Sequence, residues 1–232
     1  MIREIVLDTE TTGLDPLKGD RLVEIGAVEI VDKIATGRTF HVLINPERDV
    51  PDDAFRVHGH STEFLKDKPL FAAVVEEFLG FIGDDPLVIH NAEFDTRFLN
   101  AELAAVGRAA LAAGRIVDTL ALARRKHPGS PNSLDALCDR YRIDRSRRVK
   151  HGALLDAEIL VEVYCELSGG RQRSLGLATR AAAAVAAARR LAPTARPAPL
   201  PSRLHTMAEA AHRAHLETFA TPALWLQYLP PA

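Results

Sequence analysis

The sequence predicts an α/β domain built on a mixed, five-stranded sheet that is flanked by helices. Three β-rich runs follow one another near the start of the chain, at residues 4–8, 21–31 and 38–44. Helical segments then alternate with two short apolar runs as far as residue 167. Strands followed by alternating helices and strands are typical of this class. With 232 residues, 47% of them hydrophobic, the chain is long enough for one such domain and an appendage.

The first three strands are expected to form an antiparallel meander. The segment from Asp32-Lys33 to Gly37 separates the second strand from the third and is suited to a turn. Asn45-Pro46 ends the third strand, because proline cannot donate a hydrogen bond to a neighbouring strand.

A helical period begins at residue 71. Apolar residues recur every three or four positions over residues 71–82, which predicts a helix with one buried face. Asp85-Pro86 ends that segment, and Leu87-Val88-Ile89 is predicted to be a short buried strand. Further helices are predicted at residues 93–106, 119–125, 133–141 and 152–167, with a short strand at 116–117.

The composition changes after Gly170. Residues 178–199 consist mainly of Ala, Arg and Pro, so we expect a mostly disordered linker over 178–205. Aromatic residues return in 206–232, which is typical of a docking peptide beyond a flexible tether. The alternative is a disordered tail with incidental aromatic residues.

Charge and cysteine content narrow the class of protein. The 29 basic and 31 acidic residues give a net charge of −2, which argues against a protein that binds nucleic acid by nonspecific attraction. An enzyme whose acids recruit metal ions remains compatible with this charge. Cys138 and Cys165 are expected to be buried thiols in a reducing compartment. The chain has no apolar run of membrane-spanning length and no signal peptide, so a cytoplasmic protein is predicted.

Asp8 and Glu10 follow the first predicted strand at a spacing of two residues. Side chains at this spacing point to the same face of a strand, so the two carboxylates would repel each other unless a cation lies between them. Hard divalent metal ions prefer oxygen ligands. The pair therefore predicts a metal site, and the alternative is a strand end with two solvated acids.

Two further acids lie where such a site could form. Asp95 is in the first turn of the helix after strand 87–89, although an acid there can simply complement the helix dipole. Asp156 lies one turn into helix 152–167 among apolar neighbours, with His151 at the mouth of that helix. A buried acid needs a partner, whereas a capping or surface acid does not.

Four carboxylates suit two metal ions that share ligands and clamp the attacking and leaving oxygens of a phosphoryl displacement. His151 would then act as general base toward water, a role that suits the ordinary pKa of histidine. His58, in a His-Gly turn, is by itself more often structural than chemical.

Three segments of the chain together resemble the DEDDh exonucleases, and within them the proofreading epsilon subunits of bacterial DNA polymerase III. The resemblance covers residues 3 to about 177. It rests on Val6-Leu7-Asp8-Thr9-Glu10-Thr11-Thr12-Gly13, on Leu87-Val88-Ile89-His90-Asn91-Ala92-Glu93-Phe94-Asp95, and on His151-Gly152-Ala153-Leu154-Leu155-Asp156-Ala157-Glu158-Ile159-Leu160. Ile25-Gly26-Ala27-Val28-Glu29 and Val57-His58-Gly59 match the same pattern.

The resemblance implies a ribonuclease-H-like fold over residues 1–170 and hydrolysis of the single-stranded 3′ end of DNA to 5′-monophosphates. The implied ligands of two Mg²⁺ or Mn²⁺ ions are Asp8, Glu10, Asp95 and Asp156, and the implied general base is His151. The implied substrate-binding residues are Asp8, Thr9, Glu10, Thr11, Asp53, His58, His90, Asn91 and Asp156. Asp53 departs from the pattern, which has a glutamate near this position, so its shorter side chain puts that contact in doubt.

The same resemblance implies partners for the C-terminal region. In residues 171–177, Gln172, Leu175 and Leu177 resemble a peptide that binds the beta sliding clamp, with Leu177 in place of the usual aromatic residue, so we expect weak binding. Residues 206–232 resemble the segment that tethers epsilon to the polymerase III alpha subunit. The expected anchors in it are Phe219, Leu224, Trp225 and Tyr228, since aromatic residues dominate interface energetics. A small theta-like subunit is a further partner that the resemblance admits.

A basic run before His151 has two interpretations. Its members are Arg140, Arg142, Arg145, Arg147, Arg148 and Lys150. They are suited to receive the phosphates of the incoming strand, or they form a solvated charged loop.

The leading hypothesis is a proofreading 3′-5′ exonuclease of the polymerase III complex. One alternative is a freestanding DEDDh nuclease for RNA or repair intermediates, against which the docking-like tail argues. The other is a catalytically silent subunit that bridges clamp and polymerase, against which the complete set of four acids and a histidine argues.

Overall fold

The computed structural model describes residues 1–146, 148, 150–169 and 206–218. The chain divides into two compact units, Met1–Leu175 and Gly176–Ala232. The sheet and the predicted site residues up to Asp156 all belong to the first unit.

The first unit contains the five predicted strands in one mixed sheet. They are β1 (Arg3–Thr11), β2 (Leu22–Val31), β3 (Ile34–Leu43), β4 (Leu87–Ile89) and β5 (Ile116–Asp118). The strand order is β3-β2-β1-β4-β5. The pairs β1–β2 and β2–β3 are antiparallel, whereas β1–β4 and β4–β5 are parallel. The expected antiparallel meander and mixed sheet are both confirmed.

The five predicted helices are present with small shifts at their ends, and no bounds were predicted for the other three α-helices of the described residues. The α-helices are α1 (Asp52–His58), α2 (Thr62–Leu65), α3 (Phe71–Ile82), α4 (Ala92–Ala105), α5 (Thr119–Lys126), α6 (Leu134–Tyr141) and α7 (Ala153–Leu167), and in the second unit α8 (Thr206–Glu217). The hydroxyl of Ser133 accepts a hydrogen bond from the backbone N–H of Ala136 and so caps α6, as expected.

Two strands are longer than the sequence suggested. β1 continues to Thr11, so Asp8 and Glu10 lie within the strand and do not follow it. β3 begins at Ile34, because Asp32 and Lys33 alone make the turn, with φ values of 50° and 68°. Positive φ at both central residues is the geometry of a two-residue hairpin turn whose twist matches the strands. Gly37 therefore lies inside β3 and not in the turn.

Helices cover both faces of the sheet. On one face, Ile5 and Leu7 of β1 pack in a cluster with Phe78 of α3 and Phe98 of α4. On the other face, Val6 packs in a cluster with residues of α6 and α7, among them Leu137, Leu160 and Val163. Successive side chains of a strand alternate between faces. Asp8 and Glu10 consequently share the face of Val6 and α7, whereas Thr9 shares the face of α4.

Several predictions concern residues outside the described part of the chain. These are the clamp-binding peptide over 171–177, the linker over 178–205 and the docking residues Phe219, Leu224, Trp225 and Tyr228. Within the described ranges, no helix has both the length and the apolar character needed to cross a membrane. Cys138 and Cys165 are buried free thiols, as predicted.

Candidate active site

A cleft of about 1340 Å³ opens where β1 and β4 reach their carboxyl ends. The structure brings to this cleft all of the predicted metal, base and substrate residues in the first unit. They are Asp8, Thr9, Glu10, Thr11, Asp53, His58, His90, Asn91, Asp95, His151 and Asp156. The site is thus assembled from β1, α1, the β4–α4 junction and the start of α7.

Three of these residues are close enough to share one cation. Ligand atoms of Glu10, His151 and Asp156 all lie within 4.8 Å of one another. Glu10 and Asp156 are only 8% and 2% exposed, whereas the side chain of His151 is 47% exposed. Two buried carboxylate groups and one accessible imidazole therefore meet on the α7 face of β1.

Asp95 approaches the same cleft from the α4 side. Its side chain is 3% exposed, and its Oδ1 accepts a hydrogen bond of 2.7 Å from the Thr9 hydroxyl. Asp8 lies between the two sides and is partly exposed. Because β1 places Thr9 and the two acids on opposite faces, one strand contacts the acids of both helices.

Burial, together with nearby carboxylates, raises the pKa values of three of the four acids. Burial, and then Asp95, Glu10 and Asp156, raise the pKa of Asp8 well above its ordinary value. Burial and Asp156 raise the pKa of Glu10 to about 8, and burial raises the pKa of Asp95 to about 7. Carboxylates that raise each other's pKa in this way are stabilised by a cation between them. The oxygen-only donor set of the four acids fits hard divalent metal ions.

Arg148 already contacts the fourth acid. Its Nε and Nη2 donate to the two carboxylate oxygens of Asp156, the latter at 2.6 Å, and its Nη1 donates to Asp135 at 2.7 Å. Burial raises the pKa of Asp156, but hydrogen bonds from His151 and Arg148 outweigh it and lower that pKa. Arg148 was expected only as part of a basic run, and its contact with a proposed metal ligand was not predicted.

His151 lies beside this ion pair. Its Nδ1 is 3.3 Å from Oδ2 of Asp156 and 2.8 Å from Nη2 of Arg148. Its backbone N–H donates to the carbonyl of Val57 at 3.2 Å, which ties the segment before α7 to α1. The imidazole therefore faces the cleft with both neighbours on its Nδ1 edge.

His58 presents a buried, unsatisfied donor to the cleft. The ring is 5% exposed, and its Nδ1 accepts a hydrogen bond of 3.0 Å from the backbone N–H of His60. Its Nε2 has no hydrogen-bond partner among the residues that the structure describes. Burial and then the neighbouring His60 lower the pKa of His58 to about 4, so the neutral ring carries its proton on Nε2. Such a buried donor is suited to a ligand acceptor.

The other predicted substrate residues have partners within the chain. The Thr11 hydroxyl donates to the carbonyl of Gly13 at 2.6 Å, and His90 Nδ1 lies 3.0 Å from the Thr119 hydroxyl. Asn91 is exposed and adopts a φ of 62° at the start of α4. Asp53 has a 90% exposed side chain, and it is paired with Arg56.

The basic run before His151 is partly engaged with acids. Arg145 bonds Asp135 and Asp139, and Arg148 bonds Asp135 and Asp156. The Arg140 guanidinium donates to the carbonyl of Pro131 at 3.1 Å, whereas Arg142 and Lys150 are exposed. Arg147 lies outside the described residues. Arg148 thus helps to organise the wall of the cleft, and the role of the run toward phosphates stays a prediction.

Glu24 and Gly26 of β2 support the site from behind and were not predicted as functional residues. Glu24 is 4% exposed and pairs with Glu10 across β1–β2. A Cβ on Gly26 would overlap the backbone of Ala153 and Leu154, so only glycine lets the start of α7 lie against β2. Its position as one of two acids in a mainly apolar strand was the signal that could have marked Glu24.

The chain belongs to the exonuclease family: the family model described as Exonuclease matches residues 5–164. It is similar to solved structures of this kind. With a structure of exonuclease X in complex with 5′-overhanging duplex DNA, it shares 27% identity and a TM-score of 0.56, over 72% of this chain and 90% of that one. The nuclease domain of 3′hExo, described as a DEDDh family member bound to rAMP, has a TM-score of 0.62 at 17% identity, over 74% and 94% of the two chains.

Within this family the relatives are epsilon subunits. The chain is 59% identical over 174 residues to the DNA polymerase III subunit epsilon of Rickettsia felis, which covers 74% of this chain and 76% of that one. It is 50% identical over 176 residues to the same subunit of Escherichia coli, over 73% and 72% of the two chains. The chain is thus a metal-dependent 3′-5′ exonuclease of the polymerase III epsilon type, with a proofreading function.

Proposed function

We propose that this chain removes mispaired 3′-terminal nucleotides from DNA as 5′-monophosphates, with Asp8, Glu10, Asp95 and Asp156 as ligands of two Mg²⁺ or Mn²⁺ ions. The observation that carries the proposal is the convergence of these four acids on one cleft, where the neighbouring acids help to raise the pKa of Asp8 and of Glu10. When bound, two divalent ions supply charge neutralisation and Lewis acidity to a phosphoryl displacement.

The residues of the chain then have separate tasks. His151 takes the proton of the attacking water, since its imidazole is accessible in the cleft and next to Asp156. Thr9 orients Asp95 through its hydroxyl. Arg148 already bonds both oxygens of Asp156, so a cation bound by that carboxylate would compete with the guanidinium for them.

The terminal nucleotide is held on the β1 side of the cleft in this proposal. The free Nε2–H of His58 donates to the nucleotide, and the segment Thr9–Thr11 lies beside its sugar. His90 and Asn91 lie at the mouth of the cleft where the preceding nucleotides of the strand would run. Asp53 is assigned the weakest contact, because its exposed carboxylate is already paired with Arg56.

A matched pair of variants tests the proposal. Glu10→Gln removes one negative charge from the cleft. Glu76→Gln removes one negative charge from the exposed face of α3, where Glu76 pairs with Arg108. With a labelled, mismatched primer and Mg²⁺, Glu10→Gln is expected to slow shortening from the 3′ end by more than about a hundredfold. Glu76→Gln is expected to match the unaltered protein. Equal rates for the two variants, or full activity in excess chelator, would reject the metal assignment.

We also propose that the C-terminal region recruits the chain to its complex in the cytoplasm. Gln172, Leu175 and Leu177 bind the beta sliding clamp, and Phe219, Leu224, Trp225 and Tyr228 bind the polymerase alpha subunit. Tethering raises the effective concentration of a nuclease at the primer end, which suits a chain of net charge −2. Replacing Gln172 and Leu175 with Ala should weaken clamp binding in a pull-down, and unchanged binding would reject the peptide. The same pull-down with a theta-like subunit tests the remaining partner.

A further inference from the structure

Glu24 is a buried carboxylate that groups from three different parts of the fold stabilise. Nε2 of His41 in β3 donates to it at 2.7 Å, and Nε2 of His60, which follows α1, donates at 2.9 Å. The backbone N–H of Ala153, the first residue of α7, also acts on the carboxylate and helps to lower its pKa. Although burial raises the pKa of Glu24, the two histidines outweigh it and lower that pKa to about 2, so the carboxylate is ionised at neutral pH.

Two of these three groups lie next to proposed site residues. The backbone N–H of His60 fixes Nδ1 of His58, and the two rings stack with centroids 5.1 Å apart. Ala153 lies two residues after His151 and three before Asp156 on the first turn of α7. His41 differs from both, because its ring is 41% exposed on β3 and contacts no cleft residue through any described hydrogen bond.

We propose that Glu24 is a positioning residue that joins the turn carrying His58 to the start of the helix carrying Asp156, so that nucleotide binding and the acid cluster are held in one geometry. This inference rests on the function proposed above. Through His60, Glu24 aims the free Nε2–H of His58 into the cleft. Through Ala153, it fixes the first turn of α7 against β2. Glu24 itself pairs with Glu10 on the neighbouring strand.

The test compares three variants of the full-length chain. His60→Gln weakens the hydrogen bond that connects Glu24 to the segment of His58. His41→Gln weakens a hydrogen bond of the same carboxylate that connects to no site residue. Glu24→Gln alters every interaction of the carboxylate together. We would measure kcat and KM on a single-stranded oligonucleotide with Mg²⁺, the affinity for thymidine 5′-monophosphate with Mn²⁺ by calorimetry, and thermal unfolding.

His60→Gln is expected to raise KM and the dissociation constant of thymidine 5′-monophosphate about tenfold, with kcat within about twofold of the unaltered value. Glu24→Gln is expected to raise KM and also lower kcat about tenfold, since the connections through His60 and through Ala153 are both weakened. His41→Gln should leave kcat, KM and the dissociation constant of thymidine 5′-monophosphate unchanged.

The positioning role is overturned if His60→Gln has the KM and nucleotide affinity of the unaltered protein, or if His41→Gln raises them equally. If Glu24→Gln does not fold, the His60 and His41 pair still decides between these outcomes. Failure of the proposed function is a separate result: the unaltered chain would bind the monophosphate yet show no metal-dependent shortening of DNA.

Discussion

At Asp156, the proposed metal ion would meet a guanidinium that already bonds both carboxylate oxygens. Arg148 bonds both oxygens and lies beside His151, so the most basic side chain of the cleft holds the fourth proposed ligand. The guanidinium has a second partner in Asp135, to which it can stay bonded when it leaves Asp156. If Asp156 is a metal ligand as proposed, the metal affinity of the site depends partly on an arginine that is no ligand itself.

Arg148→Gln is expected to bind Mn²⁺ about tenfold more tightly than the unaltered protein, a change of about 1.4 kcal/mol. The variant removes both the competing donor and one positive charge from the cleft. The measurement is calorimetric titration of Mn²⁺ in the absence of DNA. Arg145→Gln serves as the control, because Arg145 bonds Asp135 and Asp139 but not Asp156. Equal affinities for the two variants would contradict the competition.

His58 and His41 are expected to affect stability against pH in opposite directions. The pKa of His58 is lowered from 6.5 to about 4, so the unfolded chain binds a proton first and stability falls as the pH drops from 6.5 to 4. The hydrogen bond to Glu24 raises the pKa of His41, so its contribution is complete below pH 6.5 and is lost as the pH rises through the folded-state pKa.

His58→Gln should therefore reduce the loss of unfolding free energy between pH 6.5 and 4 by about 2–3 kcal/mol. His41→Gln should lower stability at pH 6 more than at pH 8.5. Denaturant unfolding at these pH values measures both effects. A steeper acid loss in His58→Gln would show that its ring is protonated in the folded state.

Among the elements, the contact between β2 and α7 decides whether the site assembles. Gly26 leaves no side chain between the sheet and the first turn of α7, which carries Asp156 four residues after its N-cap at Gly152. Helix α7 also buries Ile159, Leu160 and Val163 on the sheet face shared with Val6, so the helix cannot shift outward without exposing apolar surface.

Gly26→Ala is expected to destabilise the domain by about 3 kcal/mol or more, because its methyl group overlaps backbone and not a side chain that can rotate away. Gly80→Ala is the matched control, since a Cβ there meets nothing within 4 Å inside helix α3. That change should instead stabilise by about 0.5–1 kcal/mol. Thermal and denaturant unfolding of the two variants give the comparison, and an equally mild effect of both would contradict the close approach.

For the whole molecule, the described core and cleft belong to one of two compact units. The sheet, both hydrophobic clusters and every described cleft residue lie within Met1–Leu175. A unit that contains its own core and its own site is expected to fold and act alone.

A chain ending at residue 177 should retain exonuclease activity on single-stranded DNA within about twofold, because the deleted part contributes no described residue to the cleft. It should no longer co-purify with the polymerase alpha subunit. Activity assays and pull-down on the same preparation measure both properties. Retained binding would place the docking surface in the first unit, and lost activity would give the second unit a catalytic part.

The sequence determined the features that depend on local pattern. The alternation of β1 placed Asp8 and Glu10 on one face, the helical period gave α3 over residues 71–82, and the order of the motifs indicated the family. Motif residues are recognisable because the chemistry of a site depends on the types of side chain that it contains, and the sequence gives these directly. The strand ends were less certain, since β1 runs on through its two acids where a polar residue would ordinarily suggest a loop.

Only the tertiary structure decided which groups are close enough to share a cation, which donor has no partner among the described residues and which contacts position them. The contact of His60 with Glu24 joins residues 36 positions apart, and Arg148 and Asp156, eight positions apart, meet across the segment before α7. The unsatisfied Nε2 of His58 likewise depends on which groups surround it. Such contacts depend on how the helices pack on the sheet and leave no periodic signal in the sequence. For this protein, the sequence specifies the chemistry of the site, and the packing of α1 and α7 around β1 and β2 specifies its geometry.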